Sequence, residues 1–411
     1  MKTEINDVVT VYGSFPGGDL FSPRSNTAVA EMTASMLDQG TVRRDKFDIS
    51  NTLEVVGASL SFRTGTYRVR FTAQCLSKDV PMVVELLAEQ LREPAMHAKD
   101  LETAKRRRIG GLTRSKEDTF TRAMSTFLQE LYPDDHPNFF VPVDRQIRDT
   151  EGAEVKDVKK FHRENYGRGD FTLVAVGDVD RQILEDAVER EFSGWKKSPL
   201  SVQVAGSVRA KKGKGRHNQV VTMRDKTSID VIMGQPIGID REHEDFYPLM
   251  VGHFVLGGNF SSRLMAVVRD ELGLTYATGS TIGGVDNGND GFWYILGTYS
   301  PGLLEQGHQC TMEQLEEWIS EGVTSEELAR KKTTITGSYK VSLATTGGLA
   351  GRILVAVERG KQLSHIDEYP QQINAVSLEE VNQAIKTYSH SGKLVTIAAG
   401  AIDGDWKALE G

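Results

Sequence analysis

The stretch Phe171–Asp180, FTLVAVGDVD, returns later in the chain as Leu394–Asp403, LVTIAAGAID. In both stretches an apolar run ends at a glycine, which is typical of a buried strand that leads into a turn. A second pair lies earlier in each copy, where Val8–Gly13, VVTVYG, resembles Asp230–Gly234, DVIMG. Both members of this pair predict strands that end in a glycine turn. The chain is therefore predicted to contain two copies of one unit.

The two copies predict two domains, because 411 residues suffice for each copy to bury its own core. Residues 196–217 separate the copies and are rich in small, polar and basic residues, so they are interpreted as a linker. The run KKGKGR within them could bind phosphate, but a solvated linker is the favoured interpretation. The predicted domains are residues 1–195 and 218–411.

Helical and strand periodicities alternate within each copy. Apolar residues alternate with polar ones over Tyr67–Cys75, whereas Val80–Leu91 repeats at helical spacing. In the second copy Phe292–Leu296 alternates and Leu303–Ile319 predicts an amphipathic helix. This order predicts an α+β fold with two homologous α/β sandwich domains, each a mostly antiparallel sheet with helices on one face.

The first copy is predicted to begin one strand late. Residues 218–225, NQVVTMRD, predict a strand that opens the second copy, and their counterpart in the first copy would precede residue 1. The first sheet would then have an uncovered edge. Two interpretations stay open: a fragment or downstream half of a longer polypeptide, and a natural chain with a shortened first domain.

Composition excludes several classes of protein. A net charge of -8 disfavours a nucleic-acid binder, which usually presents a basic face. No run reaches the roughly 18 apolar residues of a membrane span. Cys75 and Cys310 are far apart and predict neither a disulfide framework nor a cysteine metal site. We expect a soluble protein, cytoplasmic from this chain alone, or periplasmic if a signal sequence lies upstream in a longer protein.

A family resemblance rests on the second copy. Gly257–Leu264, GGNFSSRL, is followed by Arg269–Tyr276, RDELGLTY. A glycine pair, S-R-L and then R-x-E-x-G-L-x-Y is similar to the C-terminal domain signature of the pitrilysin/insulinase (M16) metallopeptidases. The resemblance extends over essentially the whole chain, including Leu328–Tyr339 and the closing VTIAAG strand. It implies a half-clamshell of the M16 type.

The same resemblance implies that the zinc motif is lost. Active members carry H-x-x-E-H before M-L-x-x-G-T, so that two histidines bind zinc and the glutamate takes a proton from its water. Here Met36–Thr41, MLDQGT, is present, but the positions of the two histidines and the base hold Glu31, Ser35 and Ala34. The family's third ligand, a glutamate, aligns with the neighbourhood of Gly111. We therefore expect no metal or cofactor in this chain and zinc in a catalytic partner.

The helix around Gly111 has the sequence LETAKRRRIGGL. It offers Glu102 but no carboxylate at the place where the resemblance expects one. Its basic run, Lys105–Arg108, predicts a solvated helix face.

Arg269 and Tyr276 are the candidate catalytic residues. In catalytic assemblies of the family the equivalent pair comes from the non-zinc half, and positioned donors stabilise the negative charge that grows on the peptide carbonyl oxygen. Gly273 interrupts the helix, so Tyr276 is predicted to open the following strand and Arg269 to lie in the last helical turns. A purely structural interpretation also stands, in which Arg269 pairs with Glu271 or with a carbonyl.

The favoured function is the non-catalytic half or subunit of an M16 zinc metallopeptidase. It would not be a peptidase alone, but would close a peptide chamber and supply Arg269 and Tyr276. The partner, an H-x-x-E-H-bearing half on the same or a separate polypeptide, would supply zinc, the base and an edge strand for the peptide. The alternatives are a scaffold without catalysis, like the peptidase-like core subunits of respiratory complexes, and a homodimeric peptide-binding module.

Overall fold

The computed structural model describes residues 1–202, 209–211 and 215–409. The strands in this part of the chain are β1 (Val8–Pro16), β2 (Ser59–Thr64), β3 (Arg68–Leu76), β4 (Thr172–Gly177), β5 (His217–Thr222), β6 (Ile229–Pro236), β7 (Ala277–Gly283), β8 (Phe292–Tyr299) and β9 (Val395–Gly400). The helices are α1 (Val29–Ala34), α2 (Lys46–Val55), α3 (Val80–Arg92), α4 (Ala98–Ser115), α5 (Thr119–Leu131), α6 (Val143–Glu151), α7 (Val155–Asn165), α8 (Arg181–Phe192), α9 (Phe246–Gly257), α10 (Leu304–Glu321), α11 (Ser325–Ser342), α12 (Thr346–Glu358), α13 (His365–Ala375) and α14 (Leu378–Tyr388). A π-helical segment, Met265–Glu271, lies between α9 and β7.

The chain forms two compact units, each built from separate segments. The first unit contains Met1–Leu112, Tyr339–Glu368 and the segment that begins at Asp144. The second contains Thr113–Val143, the segment that ends at Ser338 and the chain from Tyr369 onward. Each unit thus takes one stretch from the other copy of the repeat, whereas the boundaries 1–195 and 218–411 follow the repeat itself.

The first unit is built on a four-stranded antiparallel sheet in the order β2-β3-β1-β4. Alternate residues of these strands face a core that α3 and α8 cover, as the period-two pattern predicts. The buried strand residues in this core are Val9, Val11, Phe15, Val69, Phe71, Ala73, Cys75 and Ala175. The strand expected over Tyr67–Cys75 is confirmed as β3.

The second unit contains a five-stranded sheet in the order β5-β9-β6-β8-β7. All its pairs are antiparallel except β5 with β9. At the position equivalent to β5, the first sheet has only a parallel bridge between Lys2 and Gly177 among the described residues. The strand expected from residue 218 and the helix expected over Leu303–Ile319 are both confirmed, as β5 and α10.

The glycines that end the similar stretches Val8–Gly13 and Asp230–Gly234 are not turn residues, contrary to the expectation. Gly13 lies inside β1, where an added Cβ would come within 2.1 Å of the Phe71 ring. Gly234 lies inside β6, where a Cβ would come within 2.0 Å of the carbonyl oxygen of Trp293. Both glycines are required because a neighbouring strand or ring lies too close for any side chain.

Each sheet also carries one helix on its second face, which completes the α+β sandwich. In the first unit α12 packs on β1 and β4, where Ile353 and Leu354 meet Val174 and Val176. In the second unit α5 packs on β6 and β9 through residues that include Phe127. These are the two helices that the repeat copies exchange. The predicted α+β fold class is confirmed, but helices cover both faces of each sheet and not the one face expected.

Two further expectations concern the linker and the membrane. The predicted linker, residues 196–217, falls partly outside the described residues, as do residues 212–214 of the KKGKGR run. No single helix in the described part of the chain has both the length and the apolar composition of a bilayer span, although the bent pair α11 and α12 meets both criteria jointly.

Candidate functional site

Helix α1 keeps the geometry that the zinc motif of the resembling family needs. The Ser35 amide donates to the Glu31 carbonyl oxygen at 2.9 Å, so helical hydrogen bonding continues one residue past α1. Glu31 and Ser35 therefore lie four positions apart on one helix face, with Ala34 beside them. The positions are in place, but their side chains are a carboxylate, a hydroxyl and a methyl group.

A partly buried arginine lies against these positions, with 13% of its side chain exposed. Arg108 of α4 forms an ion pair with Glu31, and its Nε donates to the Thr150 hydroxyl at 2.9 Å. Burial lowers the pKa of Arg108. The prediction that Lys105–Arg108 is a solvated face is therefore wrong for Arg108, because a carboxylate and a hydroxyl compensate its loss of water. It is also wrong for Lys105, whose side chain is 12% exposed and donates to Glu102 and to the Ala153 carbonyl oxygen.

The residues at the zinc positions do not fit a zinc ion. Gly111 lies one turn beyond Arg108 on α4 and supplies no donor, and an added Cβ would meet no atom within 4 Å. The Ser35 hydroxyl already donates to the Met32 carbonyl oxygen at 2.8 Å. Zinc requires thiolate, imidazole or carboxylate ligands, and the carboxylate of Glu31 is engaged by Arg108. Across residues 1–202, 209–211 and 215–409, no cluster of three or more His, Cys, Asp or Glu could hold a metal.

The retained MLDQGT segment has a structural role. Met36 and Leu37 are fully buried in the first unit. Gly40 has a φ of +106°, which few other residues adopt. The Thr41 hydroxyl donates to the buried carboxylate of Glu89. These contacts explain how the segment can persist without the ligands that precede it.

Arg269 and Tyr276 are brought together at the end of the π-helical segment. Gly273 has a φ of +62° and ends the helical geometry, and Tyr276 directly precedes β7, as predicted. The Arg269 Nε donates to the Tyr276 carbonyl oxygen at 3.1 Å, and its Nη1 donates to Asp270 Oδ1 at 2.7 Å. The Tyr276 side chain is 85% exposed. The Arg269 guanidinium thus contacts the backbone of Tyr276, whose side chain lies in solvent in the second unit.

The comparisons with known proteins place the chain in a family. The family model for insulinase (peptidase family M16) matches residues 2–126, and that for the peptidase M16 inactive domain matches residues 153–335. The chain belongs to the M16 peptidase family. The inactive-domain model covers Arg269 and Tyr276, and the insulinase model covers Glu31, Ala34, Ser35 and Gly111 of this M16 chain.

Some M16 relatives are named as zinc proteases and others as non-peptidase homologs. The chain is 24% identical to an uncharacterized zinc protease of Streptomyces coelicolor, covering 84% of this chain and 75% of that protein. It is 23% identical to the non-peptidase homolog YmxG of Helicobacter pylori, covering 93% and 87%. The crystal structure of a peptidase M16 inactive domain from Pseudomonas fluorescens has a TM-score of 0.86 and 21% identity, covering 100% and 96%. That structure shows the fold.

Two residues of α11 hold the loop that contains Asn259, Ser261 and Arg263, and the sequence analysis did not predict these contacts. The ammonium of Lys331 in α11, 3% exposed, donates at 2.8 Å to Asn259 Oδ1, the Ser261 carbonyl oxygen and Ser261 Oγ. One turn earlier on α11, both Glu327 oxygens accept from Arg263 at 2.7 Å. The spacing of Glu327 and Lys331, four positions apart, was the available signal, but the sequence does not show which loop they hold.

The same loop presents an aromatic side chain that sequence reasoning also missed. Phe260 is 77% exposed, and its ring centroid lies 5.9 Å from the guanidinium carbon of Arg269. An apolar residue inside the polar run GGNFSSRL was the only sequence signal. The candidate site in this M16 chain is therefore the group Phe260, Arg269 and Tyr276.

Proposed function

We propose that this chain is the non-catalytic half of an M16 zinc metallopeptidase, which closes a peptide chamber and supplies Arg269 and Tyr276 as donors to the scissile carbonyl. The observation that carries the proposal is the contact between the Arg269 guanidinium and the backbone carbonyl of Tyr276, a residue whose own side chain is exposed. The partner half would contribute zinc and the general base, since this chain has no ligand set for a metal at the degenerate positions.

The chemical argument concerns the charge that develops on the carbonyl oxygen. During attack on a peptide bond, that oxygen becomes negative, and preorganised donors stabilise it more than they stabilise the substrate. Arg269 uses Nε and Nη1 for the Tyr276 carbonyl and Asp270, which fixes the plane of its guanidinium. The Tyr276 hydroxyl makes no hydrogen bond within the described part of the chain, so it can donate without breaking one. The pair would therefore act with little reorganisation.

A second candidate is a scaffold or peptide-binding module of the same fold without a catalytic role. The two contacts of Arg269 favour it, because the carbonyl and carboxylate partners expected of a structural arginine are present, although the carboxylate belongs to Asp270 and not to Glu271. A homodimer would be the natural form of such a module. The two candidates differ in whether loss of the donors affects hydrolysis.

The test is reconstitution with an M16 subunit that carries H-x-x-E-H and is encoded in the same genome. Hydrolysis of an internally quenched, unstructured peptide is expected only when both proteins are present. R269A is expected to lower kcat about 100-fold, as loss of one oxyanion donor does, and Y276F to lower it in the same direction. KM is expected to change less, because the donors act mainly in the transition state.

A matched control is R181A, which removes another exposed arginine. Among the described residues it pairs only with Glu185 on its own helix. It is expected to leave hydrolysis unchanged. Restored hydrolysis that is indifferent to R269A and Y276F would support the scaffold candidate, as would a complete failure to restore it.

A further inference from the structure

The exposed ring of Phe260 is held in place and does not result from a loose loop. Lys331 fixes the residues on both sides of it through three hydrogen bonds of 2.8 Å, to Asn259 and to Ser261. Because Lys331 is almost fully buried, these bonds are shielded from water. The chain therefore holds a large apolar side chain, 77% exposed, at a defined position in solvent.

The position of Phe260 relative to Arg269 suggests what it contacts. The ring centroid is 5.9 Å from the guanidinium carbon. An extended peptide advances about 3.3 Å per residue, and its side chains alternate between two faces. If a peptide carbonyl lies at Arg269, a side chain one or two positions away along the peptide comes within reach of the ring.

Resting on the proposed function above, we propose that Phe260 is a specificity-determining residue that contacts a large apolar side chain of the peptide next to the carbonyl held by Arg269. The substrate class is then unfolded peptide segments with a large aliphatic or aromatic residue beside the scissile bond. Burial of two apolar surfaces against each other supplies the preference.

A competing role for Phe260 is orientation of the arginine alone. A guanidinium near an aromatic ring is attracted to the face of the ring, so Phe260 could hold Arg269 without touching a peptide. The two roles respond differently to F260L, which keeps an apolar side chain but removes the ring, and to F260A, which removes both.

The experiment measures peptide binding by the isolated chain. Two fluorescein-labelled, unstructured ten-residue peptides are compared that differ only in a central leucine or alanine, and Kd is obtained from fluorescence anisotropy. The unaltered chain is expected to bind the leucine peptide about tenfold more tightly, the effect of burying one large side chain. F260A is expected to remove most of this preference by weakening the leucine peptide only, whereas F260L is expected to keep it.

The control is F47A, because Phe47 is another exposed phenylalanine with a cation nearby, the Lys46 ammonium at 5.6 Å. F47A is expected to leave both Kd values unchanged. The proposal is overturned if F260A weakens both peptides equally, if F260L behaves like F260A, or if the unaltered chain binds neither peptide or shows no preference. Because this assay needs no catalytic partner, its failure is separate from a failure of R269A and Y276F to affect reconstituted hydrolysis.

Discussion

A chain that carries E31H, S35H and G111E together with R108Q is expected to bind one zinc ion per molecule, whereas the natural chain is expected to bind zinc only substoichiometrically. The first three substitutions restore two imidazoles and a carboxylate at the positions that the M16 resemblance assigns to ligands. R108Q removes the guanidinium that would otherwise stand beside the metal and repel it. The expected Kd is below about 1 μM, or a binding free energy beyond about -8 kcal/mol.

Three structural features favour this outcome. Helical hydrogen bonding reaches Ser35, so the two new imidazoles would lie four residues apart on one face. The Glu31–Arg108 ion pair shows that α1 and α4 are close enough for side chains of both to meet. A Cβ added at Gly111 would meet no atom within 4 Å, so a side chain can begin there without a clash. Three protein ligands of this type form the usual catalytic zinc site.

Zinc content is measured by mass spectrometry after dialysis, and Kd by competition with a chelator of known affinity. The control retains Gly111 and carries the other three substitutions, and it is expected to bind about 100-fold more weakly, which corresponds to about 2.8 kcal/mol. Equal binding by both proteins would mean that Gly111 is not the third ligand position. Absence of stoichiometric zinc in the fourfold variant would contradict the assignment of Glu31 and Ser35.

The sequence predicted these strands because their apolar residues either alternate with polar ones or form a stretch that occurs twice in the chain. The apolar runs at Phe171–Asp180 and Leu394–Asp403 contain β4 and β9, and each strand begins one residue after the first apolar residue of its run. The exchange of α5 and α12 could not be predicted in the same way. An amphipathic pattern shows that a helix has an apolar face, but it does not show which sheet covers that face.

The candidate site was predicted only in part, because local sequence patterns do not show which residues become neighbours in the fold. The relation of Arg269 to Tyr276 followed from Gly273, whose positive φ ends the helical segment. Arg108 and Phe260 were misjudged or missed because exposure depends on tertiary neighbours. A basic helix residue is usually solvated and a phenylalanine is usually buried, and here the partners Glu31 and Lys331 reverse both tendencies.

Replacement of Glu327 by glutamine is expected to lower the free energy of unfolding by about 3 kcal/mol at pH 7. The carboxylate is only 16% exposed and accepts two hydrogen bonds of 2.7 Å from Arg263 and one of 2.8 Å from the Thr324 amide. E327Q leaves the largely buried guanidinium of Arg263 without its counter-charge, a change that costs about 3–5 kcal/mol for buried pairs. The lower end of this energy range applies because the side chains of Arg263 and Glu327 are each 16% exposed.

The pH dependence of this loss follows from the pKa of Glu327. Burial alone would raise it, but the hydrogen bonds from Arg263 and Thr324 and the charge of Arg263 lower it to about 2, below the ordinary value of 4.5. A carboxyl whose pKa is lower in the folded state contributes its full stabilisation of the fold above pH 4.5. That contribution to the free energy of unfolding is lost as the pH falls toward 2. The difference between the natural chain and E327Q is therefore expected to shrink over that window.

The neighbouring residue provides the control for this prediction. Glu326 is one position away and pairs with Arg330 at 3.7 Å, but its side chain is 81% exposed. E326Q is expected to change the unfolding free energy by less than about 0.5 kcal/mol, because solvent screens exposed pairs. Urea unfolding of both variants at pH 7 and at pH 3 makes the comparison. Equal losses of unfolding free energy in E326Q and E327Q would mean that the Arg263–Glu327 pair does not stabilise the loop that presents Phe260.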